Sequence, residues 1–259
     1  MQICYNTFMK IRTLKHSELP LLFSYASNEE WNNEKVHTIA LFHTHPNDFF
    51  IAYKKKQLIG FIIAIKYSKE FGFISSFLVL KKFRGLAFGK RIFSFALKHL
   101  DGCQIALESV VGKESFYEKV GFKSYFDVTT YKFLSGSVTL PQADLTVVDF
   151  DKKLSLKTKD TYMNAMIMSD KTTYKAIKIQ NKISSFALSF RYIDGYKIHI
   201  ESEDINEALT LFFALTNIHK SETTIYLQAS PLSSMLQAIV ELLKMNVHSK
   251  STRMYNFIP

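Results

Sequence analysis

The stretch Leu78-Val79-Leu80-Lys81-Lys82-Phe83-Arg84-Gly85-Leu86-Ala87-Phe88-Gly89-Lys90 puts small residues and positive charge side by side. An apolar strand runs into a short turn, and a helix follows. Amides at a helix start point outward without intrahelical partners, and the helix dipole favours negative charge there. Small residues let a diphosphate approach the backbone, and the flanking Lys and Arg add charge. The same pattern also describes a solvated basic turn ahead of an ordinary amphipathic helix, because short glycine motifs are common. A second segment, Ser115-Phe116-Tyr117-Glu118-Lys119-Val120-Gly121-Phe122, places a tyrosine on a short helix that Gly121 ends. A phenol with an ordinary pKa near 10 can give a proton to a departing anion. It can equally be a half-buried aromatic whose hydroxyl is satisfied.

The composition bounds what else the chain can be. It has 259 residues, 47% hydrophobic, 22% charged and 14% aromatic, which is globular and long enough for one large or two ordinary domains. Glycine and proline are scarce, which excludes collagen-like and low-complexity structure. The first residues show no basic segment followed by an apolar run, so no signal peptide is expected. The longest apolar run, Leu58–Ile65, is eight residues, against roughly 20 for a membrane helix. Cys4 and Cys103 have neither redox nor metal-ligand spacing, so a reduced cytoplasmic setting without a metal is expected. The formal charge is +10, yet Lys81, Lys82, Arg84, Lys90, Arg91 and Lys98 fall in a stretch without acidic residues between Glu70 and Asp101. That clustering predicts one local anion site rather than a nucleic-acid stripe.

The elements that must position these residues follow from periodicity. Strands are predicted at Thr7–Leu14, Asp48–Lys54, Leu58–Tyr67, Phe71–Leu80 and Cys103–Glu108, with two closing strands in Phe122–Leu134. Helices are predicted at Ser17–Ser27, Val36–His43, Gly89–Leu100 and Lys113–Val120. Ser135–Asp144 reads as a linker. The remainder repeats the element order: strands Thr172–Gln180, Ser184–Arg191 and Tyr196–Ser202, then helix Asp204–His219 with a capping-box-like start. Strand Thr223–Gln228, a helix opened by Ser230-Pro231 and closing strand Arg253–Ile258 complete it. The expected organisation is α+β, with two related domains at 1–138 and 145–259.

Val79, Arg84, Gly89, Tyr117 and the Gly121-Phe122 pair together resemble the GNAT superfamily of N-acetyltransferases. That family shows a Val at the end of its fourth strand, Gln/Arg-x-x-Gly-x-Gly/Ala, and a later Tyr ahead of a Gly-Phe pair. Two positions depart: Ala87 replaces the middle Gly, and Val110 stands where an Asn is frequent. Glu30-Trp31-Asn32, His45-Pro46-Asn47-Asp48-Phe49-Phe50, Phe71-Gly72-Phe73, Ala106-Leu107-Glu108-Ser109-Val110 and Arg253-Met254-Tyr255 are similar to segments of a bacterial two-domain, YitH/HolE-like branch. The resemblance implies tandem GNAT-like domains, each a mostly antiparallel mixed sheet flanked by helices, and acetyl-coenzyme A as cosubstrate.

It also implies a mechanism. A neutral amine attacks the thioester directly, and alignment of the two reactants removes much of the entropic cost. Main chains of Leu78, Val79 and Leu80 hold the pantetheine arm and polarise the thioester carbonyl. Arg84, Gly85, Leu86, Ala87, Phe88, Gly89 and Lys90 hold the diphosphate. Tyr117 is the general acid. Glu108 is the first choice for a base or for binding a cationic acceptor, and Trp31 for lining the acceptor pocket. His43 and His45 flank a loop near the site, where a histidine has a suitable pKa, but a solvated loop histidine is the more common outcome. Water can replace a side-chain base. In the second half the corresponding turn, His199-Ile200-Glu201-Ser202-Glu203-Asp204, is acidic and lacks glycine, so that domain is expected to be degenerate. The expected partner is a small-molecule amine, with neither nucleic acid nor membrane, in a monomer or homodimer. A non-catalytic acyl-coenzyme A sensing module and, behind it, a nucleic-acid binder are the competing readings.

Overall fold

Runs of β-branched and aromatic residues alternate with helical stripes and give twelve strands and seven helices among the described residues. The computed structural model describes residues 9–29, 31, 34–136, 145–149, 161–180 and 182–257. The strands are β1 (Met9–Thr13), β2 (Phe49–Lys54), β3 (Gln57–Lys66), β4 (Phe71–Val79), β5 (Gln104–Val110), β6 (Lys123–Leu134), β7 (Val147–Asp149), β8 (Thr172–Ile179), β9 (Lys182–Tyr192), β10 (Gly195–Glu201), β11 (Thr224–Ala229) and β12 (Asn246–Tyr255). The helices are α1 (Leu19–Ser27), α2 (Lys35–Thr44), α3 (Phe88–His99), α4 (Glu114–Glu118), α5 (Thr161–Met168), α6 (Ile205–Thr216) and α7 (Ser234–Leu242). No described helix is long and apolar enough to cross a membrane.

Two compact units result. Within the described residues, unit 1 comprises Met1–Asn33, Leu41–Tyr125 and Arg253–Pro259, and unit 2 comprises Glu34–Ala40 and Phe126–Thr252. In unit 1 the strand order is β1-β2-β3-β4-β5, with the last residues of β12 beside β5. Pairings from β1 to β4 are antiparallel, and β4 with β5 is parallel. Helix α3 supplies the crossover that a parallel pair needs. It buries Phe88, Ile92, Phe93 and Ala96 in a cluster with Ile62, Ala64, Ile74, Ile105, Leu107, Phe122 and Met254. At about 1.5–3 kcal/mol per buried large apolar side chain, this cluster fixes the turn ahead of α3.

Unit 2 orders its strands β6-β11-β10-β9-β8-β7, again with one parallel pair, β10 with β11. Its crossover helix, α6, buries Ala208, Leu211, Phe212 and Leu215. A buried ion pair, Lys197 with Glu34, also belongs to this unit, and Lys197 additionally donates to Gln228 Oε1 at 2.9 Å.

Several sequence expectations change. Phe122–Leu134 forms one strand, β6, instead of two. Lys123–Leu134 has no Gly or Pro to make a hairpin turn. Pro231 lies outside α7: Ser233 donates its amide to Ser230 O at 3.0 Å, a β-turn with proline at its second position, and the helix begins after it. The closing strand starts at Asn246, not Arg253, and β7 and α5 had no counterpart in the periodicity. In the expected linker, Ser135 is buried and donates to Lys220 O at 2.6 Å; residues 137–144 lie outside the described ones.

Residues from β12 complete unit 1. Met254 is fully buried, Asn256 donates its amide to Ile105 O at 3.0 Å and its side chain accepts from the Ile105 amide at 2.7 Å. A fragment ending at residue 138 lacks all of these. It leaves a Met-sized gap, worth about 2–5 kcal/mol, and an uncovered strand edge at β5. We expect that fragment to melt well below the full chain or to aggregate, as read by thermal denaturation with light scattering; an unchanged midpoint would refute this.

Candidate active site

The site starts from a kink in β4. Phe61 pairs with Leu78 and Ile63 with Ser75, so Ser76 and Phe77 stand opposite the single residue Ile62. Ser76 has φ +48°, a left-handed conformation that costs a non-glycine residue on the order of 1–3 kcal/mol. A bulge of this kind bends the strand and sharpens its twist. On its other edge, β4 pairs with β5 from Phe71–Gln104 to Ile74–Leu107, and the ladder stops there. Yet β4 continues to Val79 and β5 to Val110. The strands therefore part, and the β4 edge over Ser75–Val79 offers main-chain donors and acceptors to something other than β5. Gly60 holds the opposite edge: a Cβ there would lie 2.1 Å from Leu78 O.

The turn after β4 is built from strained and charged residues. Leu80 donates its amide to Ile59 O at 2.9 Å, and Lys81–Phe83 form a single 3₁₀ turn. Arg84 donates Nε to Val79 O at 2.8 Å and pairs with Glu29 at 2.8 Å. Gly85 (φ +76°) and Ala87 (φ +60°) are both left-handed. Leu86 is 60% exposed, whereas Phe88 is buried and anchors the first turn of α3. Gly89 lies over Phe77 and Val79, and Lys90 is exposed. Ala87 caps α3 with no side-chain hydrogen bond. At the equivalent place in unit 2, Asp204 accepts from the amides of Asn206 and Glu207 at 2.8 and 2.9 Å. Glu201 nearby is held below the usual carboxylate range, first by its hydrogen bond from His199. The α6 start is thus self-capped and acidic, and the α3 start is uncapped and basic.

Tyr117 lies on α4, in the aromatic group of Phe93, Phe116 and Phe122, with ring centroids 5.6, 5.2 and 6.4 Å away. Gly121, left-handed at φ +96°, reverses the chain so that Phe122 donates its amide to Tyr117 O at 3.1 Å. Burial raises the phenol pKa above its ordinary value. Among the described residues the hydroxyl has no hydrogen-bond partner.

Glu108, on β5 just past the last rung with β4, accepts a hydrogen bond from the Arg253 guanidinium. That guanidinium also sits 5.1 Å from the ring centroid of Phe73. Trp31 is half-buried and donates its amide to Ala26 O at 3.0 Å, closing the end of α1. His43 is exposed, with His16 at 5.8 Å between ring centroids. His45 bonds Thr44 at 2.8 Å and lies edge-on to Tyr67. The structure thus gathers Leu78 to Lys90 around one turn, and gives Glu108 and Arg84 partners that the sequence did not announce. Arg253 had a signal, its place in the Arg-Met-Tyr segment, but Glu29 had none. Among the described residues there is no group of His, Cys, Asp and Glu that could hold a metal ion.

Residues 45–124 match the family model described as an acetyltransferase (GNAT) domain. The holothin acyltransferase of Pseudoalteromonas sp. (strain SANK 73390) is 22% identical over 112 residues, 43% of this chain and 38% of that protein. The match thus spans well under half of that curated relative. Among solved structures, a putative acetyltransferase from Pyrococcus horikoshii has a TM-score of 0.75 at 13% identity, covering 98% of this chain and 91% of that one. A tandem GNAT protein from the clavulanic acid biosynthesis pathway has a TM-score of 0.67 at 9% identity, covering 97% of this chain and all of that one. At such identities the likeness is one of fold, and it establishes the α+β, tandem GNAT-like architecture.

Ala87 is the one residue of the turn where a glycine would relieve the backbone. Ala87→Gly is expected to leave stability unchanged or raise it by up to about 1 kcal/mol, measured by chemical denaturation. A loss of more than that amount would contradict the left-handed assignment.

Proposed function

We propose that the protein is an N-acetyltransferase that moves the acetyl group of acetyl-coenzyme A to a primary amine of a small molecule by direct attack. One observation carries this reading: an opening between β4 and β5 ends at an uncapped, basic helix start, with a half-buried phenol that has no hydrogen-bond partner among the described residues on the neighbouring helix. In this reading the pantetheine arm binds at Val79, whose main chain faces the opening while the Leu78 carbonyl and the Leu80 amide are turned to β3, and the Val79 amide polarises the thioester carbonyl. The α3 start, Gly85 to Lys90, takes the diphosphate, and Arg84 exchanges Glu29 for it.

The amine nitrogen forms a bond to the acetyl carbon, and the carbon–sulfur bond breaks. The thiolate takes the proton of Tyr117, which is later replaced from water, and the proton lost by the amine passes to water. Glu108, paired with Arg253, serves as a fixed negative charge that attracts a cationic acceptor; that pairing disfavours it as the base. Trp31 lines the acceptor side. We take 1–138 as the catalytic domain and 145–259 as a degenerate copy, because Asp204 occupies the amides that a diphosphate would need.

Tyr117→Phe tests the acid. It is expected to lower kcat by about 10²–10⁴-fold in a free-thiol release assay over a panel of amines, with coenzyme affinity unchanged within about twofold. Unchanged turnover, or no acceptor in the panel, would favour a binding module over an enzyme. Burial favours the neutral phenol, so the folded pKa lies above the unfolded one. Tyr117 therefore stays a donor through neutral and mildly alkaline pH, and its loss should appear only above about pH 10. An alkaline limb well below that, absent in the Phe variant, would contradict the assignment. Glu29→Gln frees Arg84 for the diphosphate. The pair is partly exposed, so the expected gain is only about 0.2–1 kcal/mol, up to roughly fivefold in Kd by calorimetry; weaker binding would show that Glu29 orients Arg84 instead.

A further inference from the structure

A second basic feature lies against the same turn and is not used by the mechanism. The β2–β3 hairpin turns through Lys55 and Lys56, with Lys54 paired to Gln57. Lys55 is left-handed at φ +56°, where such hairpins ordinarily use Asn, Asp or Gly. A cleft of about 560 Å³ opens between Lys54, Lys55, Lys56, Gln57 and Phe83. Lys82 Nζ lies 5.0 Å from the Phe83 ring centroid, and Lys54 Nζ lies 5.5 Å from that of Phe88. The two rings meet edge to face at 5.8 Å.

Position gives the cleft its meaning. Phe83 and Phe88 bracket Arg84–Ala87 in the chain, so the wall of the cleft is also the outer support of the turn assigned to the diphosphate. No acidic residue occurs between Asp48 and Glu70 or between Glu70 and Asp101. The carboxylate beside the hairpin is already engaged: Glu18, next to Tyr53, is bound through both oxygens to Arg12 at 2.8 Å. Like charges clustered on one hairpin repel, and an anion in the cleft removes that repulsion. An anion site adjoining a diphosphate site fits a nucleotide that carries a phosphomonoester on the same sugar.

We infer that this cleft seats the 3′-phosphate of coenzyme A, with Lys54, Lys55, Lys56 and Lys82 as its charge and Phe83 as an apolar floor for the adenosine. The inference rests on the acetyltransferase reading and adds a selection rule to it: the protein discriminates coenzyme A from its dephospho form. Lys55 and Lys56 are exposed, so replacing them leaves the core intact.

The test is calorimetric titration of the full chain with coenzyme A and with 3′-dephospho-coenzyme A, for the wild type and for Lys55→Ala/Lys56→Ala, with thermal denaturation as a folding check. The expected wild-type preference for coenzyme A is tenfold or more at low salt, and salt weakens it. In the double variant the preference falls to within about twofold, while dephospho-coenzyme affinity is retained. Equal losses for both coenzymes, or no preference in the wild type, would overturn the inference and leave the acetyltransferase reading standing. Binding of neither coenzyme to the wild type would overturn both.

Discussion

The candidate site depends on a ladder that stops. Four rungs join β4 to β5, and then a residue in a left-handed conformation bends β4 away. Every later feature inherits its position from that bend. The main-chain groups on the β5-facing edge of Ser75–Val79 are freed from a strand partner, and α3 starts where the turn after Val79 delivers it. The strain at Ser76 and Ala87 is sustained by the buried cluster of α3 with β2–β5, whose packing outweighs it. This is the usual arrangement of strained backbone in proteins: held by a rigid surround, and concentrated where a ligand is to be met.

The two helix starts show how small a change separates a ligand site from a structural joint. Both α3 and α6 follow a strand in a parallel crossover, and both present unpaired amides at their first turn. At α6 a single carboxylate, Asp204, folds back and consumes two of those donors, while the buried Glu207 is held by Ser184 and Ser185. At α3 the capping position is an alanine, which has no atom able to do this. The difference is a side chain of a few atoms, and it decides whether the dipole of the helix is spent internally or left for an outside anion.

Much of this was legible in the sequence because it is local. The strand–turn–helix around Arg84, the aromatic periodicity of α3 and the Gly121 stop all follow from neighbours within a few residues, and so did the acidic character of the α6 start. What was not legible depends on residues far apart. The bulge at Ser76 has no glycine to mark it. Glu29 reaches Arg84 and Arg253 reaches Glu108 across long stretches of chain, and charge alone does not say which of many carboxylates a given guanidinium will meet. The misjudged Pro231 was a local error of a different kind, since proline suits a β-turn as well as a first helical turn.

The return of Arg253–Tyr255 to unit 1 also bears on how the protein is made. A ribosome adds roughly 5–20 residues per second, and everything between Tyr125 and Arg253 must be synthesised before β5 gains its last neighbour. For a time on the order of ten seconds the first unit therefore exists with a bare strand edge and an empty place for Met254. Its completion is a contact of very high sequence separation, which slows folding and prolongs the interval in which that edge can pair with another chain. Synthesis of the second unit thus acts as a timer on the first, and a nascent chain held by a chaperone through that interval would be spared the consequence.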